Sequence, residues 1–420
     1  MRAFFVPAAR LGRGVDLRKL TSKLLPSMVI LGLIPAVSPL GMCLHIPFVN
    51  QIAKAFDLSL FTAQATVTLY MLAFAVSIFL TALVADLISK RIILLAALFV
   101  FSAASLLASI AWSFEVLLVA RVLQAIGAGF GVVMPYAIIQ ENPEKSQIGR
   151  GISTVSVFHS IAGSLAPLVG GIFTWFVDFR LAFAFVAIYT AYLFVCVCHS
   201  EIGIRLSDHP HLPVSRLLEK AAGLLGQRNF LFSMILISSS SALYYGFLSI
   251  APALFVSNIG SSDFFCGLGV FLIAAFWAFG NRLSYRWVID FGYIKALFLS
   301  IIVMSLGMLP LLFYSGQSDP GLTFILMLPY AIGGGIINPI IISRVTHFDP
   351  EVPGMASSLI FASQILVGAF SAWFFGFFDL RGLQDIVFFG LCTTLICLVA
   401  LKALARTSRY STSVETIRID

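Results

Sequence analysis

Three side chains that can carry a positive charge, Arg121, His45 and His159, lie inside long apolar stretches of the sequence. Burying a guanidinium in an apolar medium costs on the order of several kcal/mol, so Arg121 should face protein partners. Either histidine could exchange a proton near neutral pH, and each could equally be a polar contact that only shapes a cavity. None of the 19 acidic residues lies well inside an apolar stretch, so a central carboxylate that could carry a proton is missing.

The stretches that hold these residues have the length and composition of membrane-spanning helices. Of the 420 residues, 60% are hydrophobic and only 11% are charged, whereas about 25% of the residues in a soluble domain are charged. The apolar residues form blocks of about 20, which cross a hydrocarbon layer of about 30 Å as helices. The blocks are continuously apolar, which excludes the alternating strands of a barrel. The predicted spans are 28–49, 64–85, 92–112, 116–139, 151–176, 181–199, 230–256, 264–280, 296–315, 321–343, 353–377 and 386–401.

The basic residues are distributed unequally between the two sides of the predicted membrane. The net charge is +7, and 22 of the 26 Lys and Arg residues fall in segments that share one side. The positive-inside rule then places both termini in the cytoplasm of a multi-pass protein of the plasma (inner) membrane. Membrane topology therefore explains the basic charge, and no nucleic-acid partner is predicted.

The N-terminal tail and the cysteines give two further expectations. Residues 1–27 are basic, and the first apolar run exceeds the roughly 7–15 residues of a signal-peptide core, so it should be a retained helix. An organelle transit peptide is the alternative interpretation of the tail. The six cysteines lie inside or at the ends of spans, where packing is favoured over a metal site or disulfides. No cofactor and no metal are predicted.

A polar break at residues 200–229 divides the spans into two sets of six. Within it, residues 214–225 have an amphipathic pattern that predicts a short helix on the cytoplasmic membrane surface. The predicted fold class is an all-α polytopic membrane protein with twelve transmembrane helices in two six-helix bundles. Such a layout is typical of secondary transporters whose halves rock about a midplane site. The predicted segments are a tail at 1–27, bundles at 28–199 and 230–401 around the linker 200–229, and a tail at 402–420.

Several short motifs follow one another in a defined order along the chain. They are Ser38-Pro39-Leu40-Gly41 with Pro47, Asp86 with Lys90-Arg91, Arg121-x-x-Gln124-x-x-Gly127, Gly163-x-x-Ala166-Pro167-x-x-Gly170-Gly171, and, in the second half, Pro339, Gly354-Met355-Ala356-Ser357-Ser358 and Gln364. In this order and spacing the chain resembles the major facilitator superfamily, most closely its bicyclomycin/chloramphenicol-resistance type of drug transporter. The resemblance is good over 28–195 and looser beyond.

The resemblance implies roles in gating and coupling for four residues. Asp86, Lys90 and Arg91 correspond to a loop that latches the two halves, because a carboxylate there can meet the positive N-terminus of a helix near Pro353. Arg121 is implied to act near the proton relay or gate. The motif glycines and proline are expected to allow close helix approach and a kink; they are Gly127, Gly163, Pro167, Gly170 and Gly171.

The chain also departs from the family pattern. The family's first helix carries an aspartate where this chain has Cys43, and Ala82, Leu87 and Ser89 replace residues of the family's loop motif. His45 and His159 are then the remaining candidates for proton carriage.

The resemblance further implies that helices 1, 2, 4, 5, 7, 8, 10 and 11 line a substrate cavity. An aromatic cavity with one cationic residue suits amphipathic organic molecules and favours neutral or anionic ligands. The polar and aromatic residues along these helices are the candidate substrate-binding residues: His45, Tyr70, Gln124, Tyr136, His159, Tyr244, Tyr245, Tyr330, Asn338 and Gln364.

The energy source and the function class follow from what the motifs lack. Gly333-Gly334-Gly335 has no following Lys-Ser/Thr and no preceding strand, so it is no phosphate loop, and transport must use a gradient. We expect a monomeric, non-enzymatic secondary transporter that exports a small amphipathic molecule against protons. One alternative is a carrier dedicated to one metabolite, such as a siderophore, in either direction. Another is a membrane sensor or partner protein that transports nothing.

Overall fold

The computed structural model describes residues 29–84, 88–140, 145–200, 202, 214–251, 263–312, 320–344, 348, 353–378 and 383–416. Within these residues, twelve helices are long and apolar enough to cross a membrane, as the sequence predicted. They are α1 (Val29–Ala55), α2 (Leu60–Val84), α3 (Lys90–Ser109), α4 (Phe114–Gln140), α5 (Lys145–Phe173), α6 (Phe179–Cys198), α7 (Arg228–Ala251), α8 (Asp263–Phe291), α9 (Tyr293–Leu312), α10 (Pro320–Ile342), α11 (Pro353–Phe377) and α12 (Leu383–Thr416). A thirteenth helix, Val214–Gly226, lies between α6 and α7 and is called the linker helix.

The two ends of the helix bundle differ in their connections. We call the end that holds the linker helix the linker side, and the opposite end, with residues 56–59, 110–113 and 174–178, the far side. Short polar side chains begin the helices on the far side, because they accept bonds from the free N–H groups of the first turn. Ser59 Oγ accepts from Thr62 N at 3.1 Å, and Asp178 Oδ1 accepts from Arg180 N at 3.0 Å.

Helix pairing repeats between the two halves of the chain. In the first half α2 packs on α4, α3 packs on α4, and α3 packs on α6. In the second half α8 packs on α10, α9 on α10, and α9 on α12, so each pair recurs with its helix numbers raised by six. The helices therefore form two six-helix bundles with the same internal arrangement, and the predicted fold class is confirmed.

The two bundles meet along two helix pairs, α2 with α11 and α5 with α8, which together we call the seam. Its tightest contacts lie toward the far side. A Cβ at Gly267 would lie 2.6 Å from Pro167 O and 3.1 Å from Gly171 Cα, and the rings of Trp175 and Phe264 are 4.6 Å apart. Glycine at 267 is therefore what lets α5 and α8 approach this closely.

The linker helix contacts both bundles. Leu217, Ala221 and Leu224 recur at helical spacing and are buried against the linker-side ends of α2, α7 and α11. Leu218 and Leu225, on the neighbouring strip of the same helix, are exposed. Since α2 belongs to one bundle and α7 and α11 belong to the other, any motion between the bundles must change these contacts.

Several helices extend beyond the spans that the hydropathy pattern predicted; α8, for example, continues to Phe291 rather than to residue 280. α1 continues to Ala55 rather than to residue 49, and α12 continues to Thr416 rather than to residue 401. Hydropathy falls at Lys402 and Arg406, but lysine, arginine, alanine and leucine all favour helix. Helix propensity therefore extends α12 beyond its apolar part.

The motif glycines of α4 and α5 differ in how closely they are packed. A Cβ at Gly127 would lie 2.7 Å from Ala97 O, and a Cβ at Gly170 would overlap Leu44 O. At Gly163 the nearest atom would be Pro39 Cβ, at an ordinary 3.8 Å. Close helix approach thus explains why glycine stands at 127 and 170, whereas at 163 there is room for a larger side chain.

We expect Gly170→Ala to lower the free energy of unfolding by about 1–3 kcal/mol, because the added methyl group must displace α1 from α5. Gly163→Ala is the matched control on the same helix. It should be neutral, or stabilising by about 0.5–1 kcal/mol, because alanine loses less backbone freedom on folding. Thermal unfolding of the two detergent-solubilised variants measures the difference, and equal midpoints would contradict it.

Candidate functional site

Helix α1 is interrupted where proline removes backbone donors. Two 3-10 segments, Ile34–Ala36 and Ile46–Phe48, flank the α-helical segment Val37–Cys43. Pro39 has no N–H and so cannot bond the carbonyl of Pro35, four residues earlier. Buried carbonyls need a donor, so α1 requires partners from other helices.

Side chains from four neighbouring helices supply these donors. Tyr189 Oη of α6 donates to Leu33 O at 2.9 Å, His159 Nδ1 of α5 lies 3.0 Å from Pro35 O, Tyr70 Oη of α2 donates to Ser38 O at 3.2 Å, and Arg121 Nη1 of α4 donates to Gly41 O at 2.8 Å. Three of the four donors are sequence-predicted site residues. In the structure, Tyr70, Arg121 and His159 therefore all contact α1 and hold it in its bundle.

Arg121 is completely buried at the centre of this arrangement. Its Nε donates to Thr66 O at 3.1 Å, its Nη1 also donates to Gln124 Oε1, and the Tyr70 ring lies 4.2 Å from its Cζ. Gln124 in turn donates to Ser105 Oγ at 2.7 Å. Among the residues that the structure describes, the polar partners of the guanidinium are carbonyls, an amide and an imidazole, with no carboxylate.

The imidazole beside Arg121 belongs to His45. Arg121 Nη2 lies 3.3 Å from His45 Nδ1 and 3.4 Å from Nε2. A guanidinium can only donate, so the ring nitrogen that faces it must accept, and the ring must be neutral. His45 is also buried, with its ring 6.0 Å from that of Phe183. This geometry favours a structural contact over proton carriage for His45.

His159 has a different environment. Its Nδ1 faces the carbonyl oxygen of Pro35, which can only accept, so Nδ1 carries the hydrogen and Nε2 is left as the acceptor. The side chain is half-buried rather than buried. Of the two histidines, His159 thus faces a carbonyl oxygen, whereas His45 faces the guanidinium of Arg121.

In the second bundle two candidate residues bond to a run of serines on α7. Gln364 Nε2 donates to Ser241 Oγ at 2.9 Å, and Tyr330 Oη lies 3.5 Å from Ser239 O and 3.3 Å from Thr393 Oγ1. Sequence analysis did not single out residues 238–241, although four consecutive serines in an apolar span were the available signal.

The ten candidate substrate-binding residues fall into two groups by burial. His45, Tyr70, Gln124, Tyr330 and Gln364 are buried in contacts within their own bundle. Tyr136, His159, Tyr244, Tyr245 and Asn338 are half-buried. Tyr136 Oη lies 3.3 Å from Ser156 Oγ, and Tyr244 stands against Trp277 with ring centres 5.0 Å apart. The half-buried group is thus the less enclosed of the two.

Two of these residues bring the second bundle to α1. Tyr244 and Tyr245 of α7 interact electrostatically with Cys43, and Cys43 interacts electrostatically with Arg121. Cys43 itself is buried. The neighbourhood of Cys43 is therefore where the Arg121 cluster and the α7 tyrosines come together.

The predicted latch loop is only partly described. Arg91 Nη1 donates to Ser200 O at 2.7 Å and to Ile202 O at 2.8 Å, and its Nη2 donates to Cys198 O at 3.0 Å. Arg91 therefore supplies donors to the free carbonyls after α6. Lys90 begins α3. Asp86 lies outside the described residues, so the latch stays a prediction.

Two repeated six-helix bundles that meet at a seam, with a buried cluster beside it, define a membrane protein built like a secondary transporter. The family model of the Major Facilitator Superfamily matches residues 31–409. The chain therefore belongs to the major facilitator superfamily and is a multi-pass membrane protein rather than an enzyme.

Known relatives are distant. An uncharacterized transporter of Rickettsia felis is 24% identical over 59% of this chain and 61% of its own length. Multidrug resistance protein D of Escherichia coli is 23% identical over 56% of this chain and 59% of its own length. The matches thus span less than two thirds of these relatives. The fold resembles that of a bacterial homolog of the human lysosomal transporter Spinster, with a TM-score of 0.69 and 16% identity over 94% of this chain and 98% of that one.

We expect Arg121→Met to lower the free energy of unfolding by about 1–3 kcal/mol, because the Gly41 carbonyl and the Gln124 amide stay buried and lose their donor. Arg121→Lys keeps the charge but not the planar, forked set of donors, so its decrease in the free energy of unfolding should be intermediate. Thermal unfolding in detergent gives the order of the three proteins. A midpoint for Arg121→Met equal to that of the unmodified protein would contradict the capping role.

Proposed function

We propose that this protein is a secondary active transporter that moves a small amphipathic organic molecule across the membrane by alternating access, as proton-coupled efflux. The observation that carries the proposal is the seam. Two equivalent bundles touch through α2–α11 and α5–α8, and rocking about such a contact opens a central site to one side and then the other. Membership of the superfamily and the likeness to Multidrug resistance protein D support it.

The orientation of the protein follows from its charges. Most Lys and Arg residues fall on the side of the linker helix, so the linker side is proposed to be cytoplasmic, with both termini. The tight contacts at Gly267 and between Trp175 and Phe264 then close the outer side. This supports an inward-facing state, the state that the Spinster homolog's description gives for that protein.

His159 is the proposed coupling group. The spans hold no central carboxylate, and His45 must accept a bond from Arg121. His159 donates to a carbonyl of α1 and keeps its second nitrogen as an acceptor. A proton taken up there places a charge next to the interrupted helix α1, which is the link between protonation and helix motion that coupling needs.

A carrier dedicated to one metabolite is the second candidate. The missing central carboxylate favours it, because an altered coupling scheme can accompany an altered substrate. Flux assays in proteoliposomes with an imposed pH gradient separate the candidates. Protonophore-sensitive flux of many amphipathic dyes supports the broad exporter, and flux of a single compound class supports the dedicated carrier. No flux of any dye above that of empty liposomes would indicate the sensor or partner protein.

We expect His159→Gln to abolish the response of dye flux to the pH gradient and to leave flux down a dye gradient in place. Glutamine can still donate to Pro35 O but does not titrate in this range. His45→Gln is the matched control, since glutamine can still accept from Arg121, and it should keep the response. If both variants respond to the gradient as the unmodified protein does, histidine has no part in coupling.

We expect Gly267→Val to shift the protein toward an outward-open state, because its side chain has no space while α5 and α8 are in contact. Gly131→Val is the control, since a Cβ at Gly131 meets nothing within 4 Å. A thiol reagent applied from the outside should label a cysteine placed at Ala166 faster in Gly267→Val than in the control. Equal labelling rates would refute closure of the outer side at this glycine.

A further inference from the structure

Polar groups of the protein surround the charge of Arg121, but no opposite charge neutralises it. Its polar partners among the described residues are the carbonyls of Gly41 and Thr66, the Gln124 amide and the His45 ring. These are dipoles, so they stabilise the guanidinium while the net positive charge remains. In an interior of low dielectric constant, an uncompensated charge acts over many ångströms.

The nearest ionisable groups inside the spans do not balance this charge. No acidic residue of the whole sequence lies well inside a span. His45 is held neutral by the bond it accepts from Arg121, and a proton on His159 would add positive charge. The site therefore carries one positive charge when His159 is neutral and two when His159 is protonated.

The positive field reaches the place where the two bundles meet. Cys43 lies on the same α1 segment as Gly41, whose carbonyl accepts from Arg121, and it interacts electrostatically with Arg121 and with Tyr244 and Tyr245 of α7. Both tyrosines are half-buried, and each phenol can donate a hydrogen bond. Donors backed by a fixed positive charge suit an oxyanion, because a charge-assisted hydrogen bond is about twice as strong as a neutral one.

We propose that the transported molecule is an organic anion whose carboxylate lies near Cys43, between the Arg121 cluster and Tyr244 and Tyr245. This deepens the proposed function and rests on it. The carboxylate supplies the negative charge that the spans lack. An aromatic or apolar body packs against Tyr244 and Trp277, whose rings are 5.0 Å apart. A cation of the same shape is excluded by the field of Arg121.

The test compares two dyes that share a xanthene skeleton, anionic fluorescein and cationic rhodamine 123. Fluorescence anisotropy with the detergent-solubilised full-length protein gives the two dissociation constants without requiring flux. We expect fluorescein to bind about 10-fold or more tightly than rhodamine 123. Tighter binding of rhodamine 123, or equal binding of the two dyes, would overturn the proposal.

Two substitutions at Cys43 test the electrostatic cause. Cys43→Asp places a carboxylate beside Arg121 and should lower the preference for fluorescein about 10-fold or more. Cys43→Asn has nearly the same shape without the charge and should keep the preference. If the two variants show the same ratio of dissociation constants, the charge of Arg121 does not select the ligand.

A second pair of variants tests the donors if the aspartate disturbs folding. Tyr244→Phe with Tyr245→Phe removes two hydroxyl groups and should weaken fluorescein binding about 10-fold while leaving rhodamine 123 unaffected. Tyr192→Phe is the control, because Tyr192 is on the exposed surface of α6. An equal effect on both dyes would refute recognition of an anion by the phenols.

Flux in proteoliposomes separates this inference from the proposed function. Transport of rhodamine 123 with exclusion of fluorescein would overturn the anionic substrate and leave the transporter intact. Selective binding of fluorescein without flux of either dye would support the anion site and count against transport.

Discussion

The bond between Arg121 and the interrupted helix α1 is the interaction on which the rest of the site depends. The α-helical segment Val37–Cys43 ends inside the bundle, and the Gly41 carbonyl lies in its last turn, where helical donors run out. A guanidinium buried among lipid-facing helices needs acceptors just as strongly. Each group alone would be costly, and the bond from Arg121 to Gly41 O satisfies both. The break in α1 and the charge in α4 are therefore one structural feature.

This feature also explains why the two histidines of the site have different partners. Arg121 uses His45 as one of its acceptors, which places that ring in the packed interior. His159 approaches the same helix from α5 and meets the Pro35 carbonyl, whose helical donor is missing because residue 39 is proline. The two rings differ because His45 faces the guanidinium of Arg121, which donates, whereas His159 faces the carbonyl oxygen of Pro35, which accepts. Residue type alone could not have shown that difference.

How far the sequence predicts the structure depends on the physical signal involved. Length and hydropathy locate all twelve spans, since a bilayer requires continuous apolar helices. The cost of a buried charge predicts that Arg121 faces inward with partners, as observed. Spans that are apolar on all sides carry no periodicity, however, so the packed face of each helix cannot be identified from the pattern. This is why Tyr330 and Gln364 were predicted in the same terms as Tyr244 and Tyr245, although the first two are buried and the last two are half-buried.

The loop after α2 shows a second limit. Arg91 belongs to a motif whose family role is implied to be gating, yet its guanidinium donates to three carbonyls, one at the last residue of α6 and two just after it. Those acceptors are more than 100 residues away in the sequence, so no local pattern could reveal them. The contacts of Arg91 therefore say nothing about the latch role predicted for Asp86.

A charge that no residue balances also bears on the energy source of the proposed transport cycle. A transporter with a central carboxylate can release a proton there when a cationic cargo binds, so that the total charge of the loaded site stays constant. This chain keeps the arginine and has Cys43 where the family carries the acid, so a proposed anionic cargo would itself supply the compensating charge. Moving one negative charge outward releases about 2.3 kcal/mol per 100 mV of inside-negative potential. Export of an anion could therefore use the membrane potential directly, with His159 adding at most one proton per cycle. On this proposed scheme the charge that balances Arg121 comes with the substrate rather than from a carboxylate of the protein.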